Sequence, residues 1–441
     1  MSFKLIDFLE RSKFMSIHIW IFLISFLAYA FTAMDVMLIS VLLRPIAREF
    51  NLTDIELGIL GSSGYIGMFF GAITFGFIAD RIGRKKTLAL ALIIYSVFTS
   101  LCGITPNYES LLIIRAIAGI GLGGALPIPG VYVSEYPPAR YRGRMIGLVE
   151  TAWVWGVLLG LFLSLFVLPS WGWRYTFFVG IIPLILVPLV LLTLPESIRF
   201  LEKKKKIQEA IDILKKHGFI SKDEEVRPED ILIKEVKVDF KDLFRREYFK
   251  RTVLLIVLWM ALVYTYHGIF LWLPKFYADK FFSEEQAILW TIIVTIAQIP
   301  GYYTAALSLD KFGRKIILGF YLVGASVGCA LLAITSYSAF YVLIASIIIA
   351  LFNLGAWSAL YTYTPEMYPT DYRGTGSGTA ASSGRIAGIL APYLTGYFYT
   401  IGGLYLPFIA FFMVHLIAGI IVLIFGIETK GKTLEELERG K

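Results

Sequence analysis

The sequence predicts an all-α membrane protein with twelve transmembrane helices in two pseudo-symmetric six-helix bundles. Composition is the first reason: of 441 residues, 57% are hydrophobic and only 17% are charged, with a mean hydropathy of +0.71. A soluble domain of this length carries more charge. The second reason is that apolar runs of about 20 residues, enough to cross a hydrocarbon core of roughly 30 Å, recur along the chain. The third is an internal repeat.

The predicted helices are separated by two kinds of loop. The loops after helices 2, 4, 6, 8 and 10 are basic, whereas the other loops are short and poorer in Lys and Arg, although they include Arg44 and Arg48. Because cytoplasmic loops are enriched in Lys and Arg, both termini are predicted to be cytoplasmic. The predicted spans are 18–43, 56–79, 87–104, 109–134, 145–168, 174–194, 252–274, 286–308, 314–335, 339–363, 375–399 and 405–427.

The segment between the sixth and seventh helices is too polar to span a membrane. Its stretch "KKKKIQEAIDILKKHGF" places Ile207, Ile211 and Leu214 at helical spacing, and Gly218 suits a helix stop. We therefore predict three parts. They are an N-terminal bundle (1–197), a cytoplasmic linker with short helices (198–250), and a C-terminal bundle with a short cytoplasmic tail (251–441).

The repeat has an offset of about 231 residues. The matching pairs are "DRIGRK" with "DKFGRK", "EYPPARYRG" with "EMYPTDYRG", and "PESIRF" with "IETKGK". Three matches in one order indicate two homologous halves. Two such halves around a midplane site are typical of secondary transporters, in which one half rocks against the other and access alternates between the two sides.

Charged residues at the cytoplasmic helix ends form a predicted gate. Asp80 can accept hydrogen bonds from Arg84 and from backbone N–H groups at a facing helix N-terminus. The alternative is that these charges only anchor loops at the lipid headgroups, and Glu150 alternatively snorkels to the cytoplasm. The predicted gate residues are Asp80, Arg84, Glu135, Arg142, Glu150, Glu196, Asp310, Arg314, Glu366, Arg373 and Glu428.

Several stretches carry a resemblance to a known superfamily. "GFIADRIGRKK", "LDKFGRK" and "RAIAGIGLG" resemble signatures of the major facilitator superfamily, and "PESIRFL" and "ETKGKTLEEL" resemble loop ends of sugar porters. "TAMDVMLIS", "LVETAW", "IPGYYTAALSLDKFGRK", "FNLGAWSALYTYTPEMYPT" and "GRIAGILAPYLTG" are more similar to niacin-type and aromatic-acid porters and their organic-ion relatives. The resemblance implies that superfamily's fold. Helix 7 reads "VYTYHGIFLWLP" and lacks the Gln-rich stretch of sugar porters, which disfavours a sugar substrate.

Two charges inside the first half are predicted to couple transport to protons. Asp35 in helix 1 and Arg115 in helix 4 lie at nearly matching depths below the outer surface, so a buried ion pair between them is geometrically feasible. An intramembrane ionisable group is costly and needs a partner or a function. Protonation of the carboxylate would weaken its hold on the arginine, as proton-coupled uptake requires. The alternative is a static structural pair.

Arg385 is predicted to bind the substrate. It lies near the midplane of helix 11, between Gly384 and Gly388, and its fork of donors suits a carboxylate. The alternative is an ion pair with Glu150 or Asp35. Further predicted substrate-binding residues are Tyr266, His267, Gln298, Asn353, Trp357 and Tyr361.

Taken together, these patterns predict a secondary transporter that moves a small organic anion with a proton, and the resemblance implies an aromatic carboxylate such as nicotinate or benzoate. A sugar/proton symporter and a non-transporting nutrient sensor are the alternatives. No enzymatic, zinc or nucleotide motif is present, and "GIGLGG" lies inside an apolar helix, so we expect no enzyme activity, cofactor or metal. We expect a monomer in the plasma membrane, in contact with lipid, substrate and protons but not nucleic acid.

Overall fold

A computed structural model describes residues 5–221, 224, 226–228, 231, 240–245, 248–369 and 372–431. These residues form eighteen α-helices and two short 3-10 helices. The helices up to residue 193 are α1 (Leu5–Arg11), α2 (Ser16–Phe50), α3 (Asp54–Ile82), α4 (Arg84–Cys102), α5 (Tyr108–Ala125), α6 (Pro127–Glu135), α7 (Ala139–Glu150), α8 (Ala152–Phe177), a 3-10 helix (Phe178–Ile185) and α9 (Leu186–Thr193).

The remaining helices cover the polar segment and the second half. They are α10 (Ile198–Lys203), α11 (Ile207–Lys216), a 3-10 helix (Phe240–Phe244), α12 (Phe249–Lys280), α13 (Glu284–Ile296), α14 (Gln298–Phe312), α15 (Arg314–Ile334), α16 (Ala339–Glu366), α17 (Arg373–Gly402) and α18 (Tyr405–Phe425). The end of the predicted cytoplasmic tail, from residue 432, lies outside the described residues.

Ten helical stretches among the described residues are long and apolar enough to cross a membrane. One of them, Ala139–Thr193, is 55 residues long, well above the roughly 20 residues that one crossing needs. It contains a break at Gly172, where φ is 81° and ψ is 176°. α17 is not among the ten, because its Ser, Thr and Gly residues and Arg385 lower its hydropathy. The all-helical class is as expected, and the count of twelve spans stays a prediction.

Several helix limits differ from the predicted ones. Predicted helix 4 is two helices, α5 and α6, which meet at Leu126 immediately before Pro127. Predicted helix 5 begins at Ala139 and not at residue 145, because the extended backbone of Pro138 ends the loop earlier. In the polar segment α11 ends at Lys216, and Gly218 follows with φ 79°.

The chain divides into two compact units. Unit 1 comprises Met1–Val36, Ile66–Val157 and Arg174–Glu235, and unit 2 comprises Met37–Tyr65, Leu158–Trp173 and Val236–Lys441. The part of α2 from Met37 and the part of α3 up to Tyr65 therefore belong to the same unit as α12 to α18. The limits 1–197, 198–250 and 251–441 stay predictions.

Close helix packing within each unit depends on glycine. In unit 1, α4 packs on α5, and a Cβ on Gly67 of α3 would collide with the backbone oxygen of Ala116. In unit 2, α12 packs on α17, α15 packs on α16 and α18, and a Cβ on Gly301 would collide with the backbone of Leu351. Small residues at such positions let helix backbones approach closely.

Candidate functional site

Unit 1 contains a buried ion pair between Asp35 on α2 and Arg115 on α5. Arg115 Nη1 lies 2.8 Å from Asp35 Oδ1, and Nη2 donates to the backbone oxygen of Asp35 at 2.9 Å. Thr99 on α4 donates to the same Oδ1 at 3.0 Å. The Asp35 and Arg115 side chains are 0% and 3% exposed, so three helices share one desolvated charge pair.

The second carboxylate oxygen of Asp35 is in a different situation. Oδ2 is buried and has no hydrogen-bond partner among the described residues. It faces Gly180 of the 3-10 helix, where a Cβ would lie 3.5 Å from Oδ2. The carboxylate can therefore accept a proton on Oδ2 without first losing the contacts at Oδ1.

Unit 2 contains an aromatic group centred on α12 and α16. The ring centroid of Tyr266 lies 5.3 Å from His267 and 6.4 Å from Trp357, and Trp357 lies 5.5 Å from Tyr361. Trp259, about two helical turns before Tyr266 on α12, contacts both Trp357 and Tyr361 edge-on, with ring centroids 5.4 and 5.3 Å apart. Sequence reasoning did not select Trp259, whose spacing of seven residues from Tyr266 was the available signal.

Arg385 lies beside this group on α17. Its neighbours Gly384 and Gly388 pack against Val263 of α12, where a Cβ would lie 2.7 and 3.4 Å from the valine side chain. The guanidinium is half-buried and close enough to His267 to act on it electrostatically. His267 Nδ1 lies 2.9 Å from the backbone oxygen of Val263. The predicted anion-binding residue and the predicted aromatic residues are therefore neighbours.

The two predicted amides have different surroundings. Gln298 is 1% exposed; its Oε1 lies 3.5 Å from the Tyr266 hydroxyl, and its Nε2 has no hydrogen-bond partner among the residues that the structure describes. Asn353 instead contacts His415 at 2.9 Å and Thr265 at 3.4 Å, in a separate polar group. Its role in substrate binding stays a prediction.

Three predicted gate residues of the first half, Asp80, Arg84 and Glu196, lie at the N-terminus of α4. The predicted backbone contact of Asp80 is wrong, because Glu196 is the carboxylate that accepts from backbone N–H groups there. Glu196 Oε1 accepts from the backbone N–H of Arg84 at 2.7 Å and of Lys85 at 3.3 Å. Gly83 precedes this helix with φ 95°, and a Cβ there would collide with the Glu196 carboxylate. Asp80 Oδ1 lies 3.4 Å from Arg84, and its Oδ2 lies 2.8 Å from Lys203.

The second half repeats this geometry at α15. Glu428 Oε1 accepts from the backbone N–H of Arg314 at 2.9 Å. Gly313 has φ 97°, and a Cβ there would collide with the Glu428 carboxylate. Arg314 lies 3.0 Å from Asp310 and 3.0 Å from Glu366.

A hydroxyl after each capping glutamate completes the match. Ser197 donates to Glu135 at 2.5 Å, and Thr429 donates to Glu366 at 2.6 Å. Each half thus carries the same carboxylate–hydroxyl pair at equivalent positions. Charges that only anchor loops at the lipid headgroups would not need such a pair.

The three other predicted gate residues have separate positions. Arg142 pairs with Glu10 of α1 at 2.5 Å, and Glu10 also accepts from the backbone N–H of Ala139 at 2.8 Å. Glu150 accepts from Tyr29 at 2.8 Å, and Arg373 begins α17. Sequence reasoning missed Glu10, because α1 precedes the first apolar run and has no counterpart in the repeat.

Sequence reasoning also missed a charged group at the opposite helix ends, which we call the outer cluster. Lys275 of α12 lies at its centre, 2.7 Å from Asp54 and 2.5 Å from Asp279. The sequence signals were the basic residues Arg44, Arg48 and Lys275 in a loop set otherwise poor in them, and the offset of 231 that relates Arg44 to Lys275. The members are Arg44, Arg48, Asp54, Lys275, Asp279 and Glu284.

The chain is similar to known transporters over nearly its whole length. Residues 28–440 match the family described as "Sugar (and other) transporter". The chain is 35% identical over 415 residues to the niacin transporter NiaP of Acinetobacter baylyi (93% of this chain, 94% of the relative). It is 36% identical over 416 residues to the putative niacin/nicotinamide transporter NiaP of Bacillus subtilis (93% and 96%).

The fold has a solved counterpart. The partially occluded inward-open structure of the xylose transporter XylE from E. coli superposes with a TM-score of 0.77, at 22% identity, over 95% of this chain and 100% of that one. A family match across residues 28–440, with relatives at 35% and 36% identity, is consistent with the signatures in the loops and in helix 4. The chain belongs to the sugar (and other) transporter family of the major facilitator superfamily.

Proposed function

We propose that this protein is a secondary active transporter that moves a small organic anion together with a proton by alternating access. The observation that carries the proposal is the buried Asp35 carboxylate, which holds Arg115 through Oδ1 while Oδ2 has no partner among the described residues. Protonation of Asp35 would remove the charge that attracts Arg115. Proton binding and helix contacts are then linked at one residue, as symport requires.

The proposed substrate is an aromatic carboxylate, with nicotinate tested first and benzoate second. Arg385 would bind the carboxylate through its fork of donors, and the rings beside it would cover the flat apolar faces. Niacin, which names both relatives, is a pyridine carboxylate of this shape. His267, Gln298, Trp357 and Tyr361 are proposed to complete the site.

A sugar/proton symporter is the second candidate. It is favoured by the family description and by the fold match to a xylose transporter. The aromatic character of α12 in this region, "VYTYHGIFLWLP", argues for a flat apolar ligand and against a polyhydroxylated one.

The transport cycle that we propose uses the predicted topology. Twelve crossings, with both termini in the cytoplasm and a monomer in the plasma membrane, would place the Glu196 and Glu428 groups on the inner side. There they would act as a cytoplasmic gate that breaks and reforms in each cycle. The 55-residue stretch would supply two crossings, and α17 would cross despite its polar residues because its Gly384 face packs on α12.

Uptake by the purified protein in liposomes tests the function. Radiolabelled nicotinate should accumulate when the outside is more acidic and should stop accumulating when a protonophore collapses the gradient. Unlabelled benzoate should compete and xylose should not. Accumulation of xylose but not nicotinate would support the second candidate function, sugar/proton symport. Nicotinate uptake that ignores the proton gradient would remove the coupling role of Asp35.

A further inference from the structure

The outer cluster obeys the same repeat as the gate. Arg44, near the outer end of the first helix of the first half, corresponds at the offset of about 231 to Lys275 in the second half. The second helix of each half begins with an acidic residue, Asp54 in α3 and Glu284 in α13. Asp54 and Glu284 each directly follow a hydroxyl cap, Thr53 and Ser283, so they occupy the same first position of their helices, at an offset of 230.

The ion pairs cross between the repeats. Lys275 of the second repeat lies 2.7 Å from Asp54 of the first, and Arg44 of the first lies 3.9 Å from Glu284 of the second. Asp279 joins the two pairs, because its oxygens lie 2.5 Å from Lys275 and 3.1 Å from Arg44. The five side chains therefore connect the outer ends of α2, α3, α12 and α13 within unit 2.

Burial distinguishes this cluster from ordinary surface pairs. The Lys275 side chain is only 8% exposed. Its ammonium group contacts two carboxylates and lies 5.1 Å from the centroid of the Tyr399 ring. Arg44 is 22% exposed. Pairs held this far from water are less screened than exposed ones, and removal of one partner leaves a poorly solvated charge.

A tight helix contact lies beneath the cluster. Gly58 and Gly61 of α3 pack against Pro392 of α17, where a Cβ on either glycine would lie 2.8 Å from a Pro392 atom. One turn further in, Ser62 donates to the backbone oxygen of Ile389 at 2.6 Å. Next to the outer cluster, α3 and α17 are thus packed so closely that a side chain does not fit at Gly58 or Gly61.

We propose that Arg44 and Lys275 form an outer lock: two pseudo-symmetric ion-pair contacts that hold the outer end of the helices shut and break in every cycle. The lock rests on the proposed alternating access, because the outer ends of α2 and α3 must leave α12 and α13 for substrate to enter. Equivalence between the repeats lets each contact support the other, so loss of one should open the outer side in part and loss of both should open it further.

A labelling experiment tests the lock without any substrate. The reporter is Ser62→Cys in a background of Cys102→Ala and Cys329→Ala, in liposomes whose orientation is read from a C-terminal tag. Ser62 lies eight residues into α3 from Asp54, which is about 12 Å below the cluster. A membrane-impermeant maleimide added on the side opposite the tag should react slowly in the parent. Arg44→Met and Lys275→Met should each accelerate labelling about 3- to 10-fold, and the double variant further.

Two variants separate charge from packing. Lys206→Met removes an exposed linker ion pair, with side chains 57% and 51% exposed, and should leave labelling unchanged. The charge exchange is made in an Asp279→Asn background, so that a carboxylate at position 275 does not face that of Asp279. There, Asp54→Lys alone should label fast, whereas Asp54→Lys with Lys275→Asp should return to within about 2-fold of the Asp279→Asn protein, because opposite charges again face each other. If the Met variants do not fold, this exchange pair decides alone.

The outcomes are unambiguous. Slow labelling in every folded lock variant, or fast labelling in the charge-exchange pair, would overturn the lock. Failure of the parent to take up nicotinate, with labelling as predicted, would remove the proposed substrate and leave the lock standing. Normal uptake with unchanged labelling would remove the lock alone.

Discussion

Arg115 holds Asp35 at two chemically different atoms, the carboxylate Oδ1 at 2.8 Å and the backbone oxygen at 2.9 Å. The first contact depends on the charge of the side chain, and the second does not. Neutralising Asp35 therefore weakens the attachment of α5 to α2 without abolishing it. A proton arriving at Asp35 would change the strength of a helix contact while the arginine stays hydrogen-bonded.

Asp35→Asn should therefore fold and lose coupling. We expect gradient-driven accumulation of nicotinate to disappear, while exchange between labelled and unlabelled substrate across the membrane persists at a measurable rate. Comparison of the two assays on the same liposomes checks this. Full accumulation by the variant would end the proton role.

Arg115→Met should be more damaging than Asp35→Asn. It leaves the Asp35 carboxylate buried without its cationic partner, and removing one member of a buried ion pair costs about 3–5 kcal/mol. We expect a lower yield of monodisperse protein and a melting temperature below that of Asp35→Asn. The reverse order of melting temperatures would show that the carboxylate contributes more than the guanidinium to this helix contact.

Arg385→Ala should weaken binding of nicotinate by roughly 10- to 100-fold, because a hydrogen bond to a charged group contributes about 1.5–3 kcal/mol. Arg385→Lys should recover only part of this, since an ammonium lacks the fork. Nicotinamide, which has the same ring without the charge, serves as the control ligand. Equal losses for acid and amide, measured by ligand-dependent thermal shift, would assign Arg385 a structural role.

Gln298→Leu should affect nicotinate more than benzoate. The Nε2 group is buried without a described partner beside Tyr266, and a neutral hydrogen bond to a ring nitrogen contributes about 0.5–1.5 kcal/mol. We expect nicotinate affinity to fall roughly 3- to 10-fold and benzoate affinity to hold or improve. Parallel losses for both ligands would place Gln298 outside the ligand site.

Gly83→Ala should destabilise the first half by about 1–3 kcal/mol, because the backbone has a positive φ and the new methyl group meets the Glu196 carboxylate. Gly313→Ala should do the same in the second half. Gly143→Ala is the matched control, since no atom lies within 4 Å of its Cβ position and α7 is helical there. Thermal unfolding of the three variants compares them directly, and similar melting temperatures for all three would remove the glutamate contact as the reason for glycine.

The sequence predicted the depth of a residue along its helix better than it predicted which residues of other helices it contacts. Matching depth was enough to propose the contact between Asp35 and Arg115, because a charge buried in the membrane usually pairs with an opposite charge and such charges are rare there. The partner of Arg142 was not predictable, since Glu10 lies in a short helix outside the repeat. Depth also suggested Asn353 as a substrate-binding residue but gave no indication of its contacts with His415 and Thr265. Spacing along one helix does not determine which neighbouring helix a side chain contacts.

The outer cluster shows the same limit more clearly. Apart from the pair of Lys275 and Asp279, four positions apart, its ion pairs join residues more than two hundred positions apart, and no local pattern links Lys275 to Asp54. The repeat contained half of the information, because it relates Arg44 to Lys275 and the start of α3 to the start of α13. The other half, that each base meets the acid of the opposite repeat, required the packing of the helices.

The caps at α4 and α15 have a consequence for how the gene can be divided. Glu196 accepts from the backbone of Arg84, 112 positions earlier, and Glu428 accepts from that of Arg314, 114 positions earlier. In each repeat, a glutamate near the C-terminal end therefore caps a helix near the beginning. If the chain is cut after Ser221, the Glu196–Arg84 contact stays within the first fragment and the Glu428–Arg314 contact within the second. Two such fragments made from separate genes should reassemble into a working carrier in the cell. A cut placed between Thr193 and Glu196 would put Glu196 and α4, whose N-terminus it caps, on different fragments. That pair of fragments should not assemble into a working transporter.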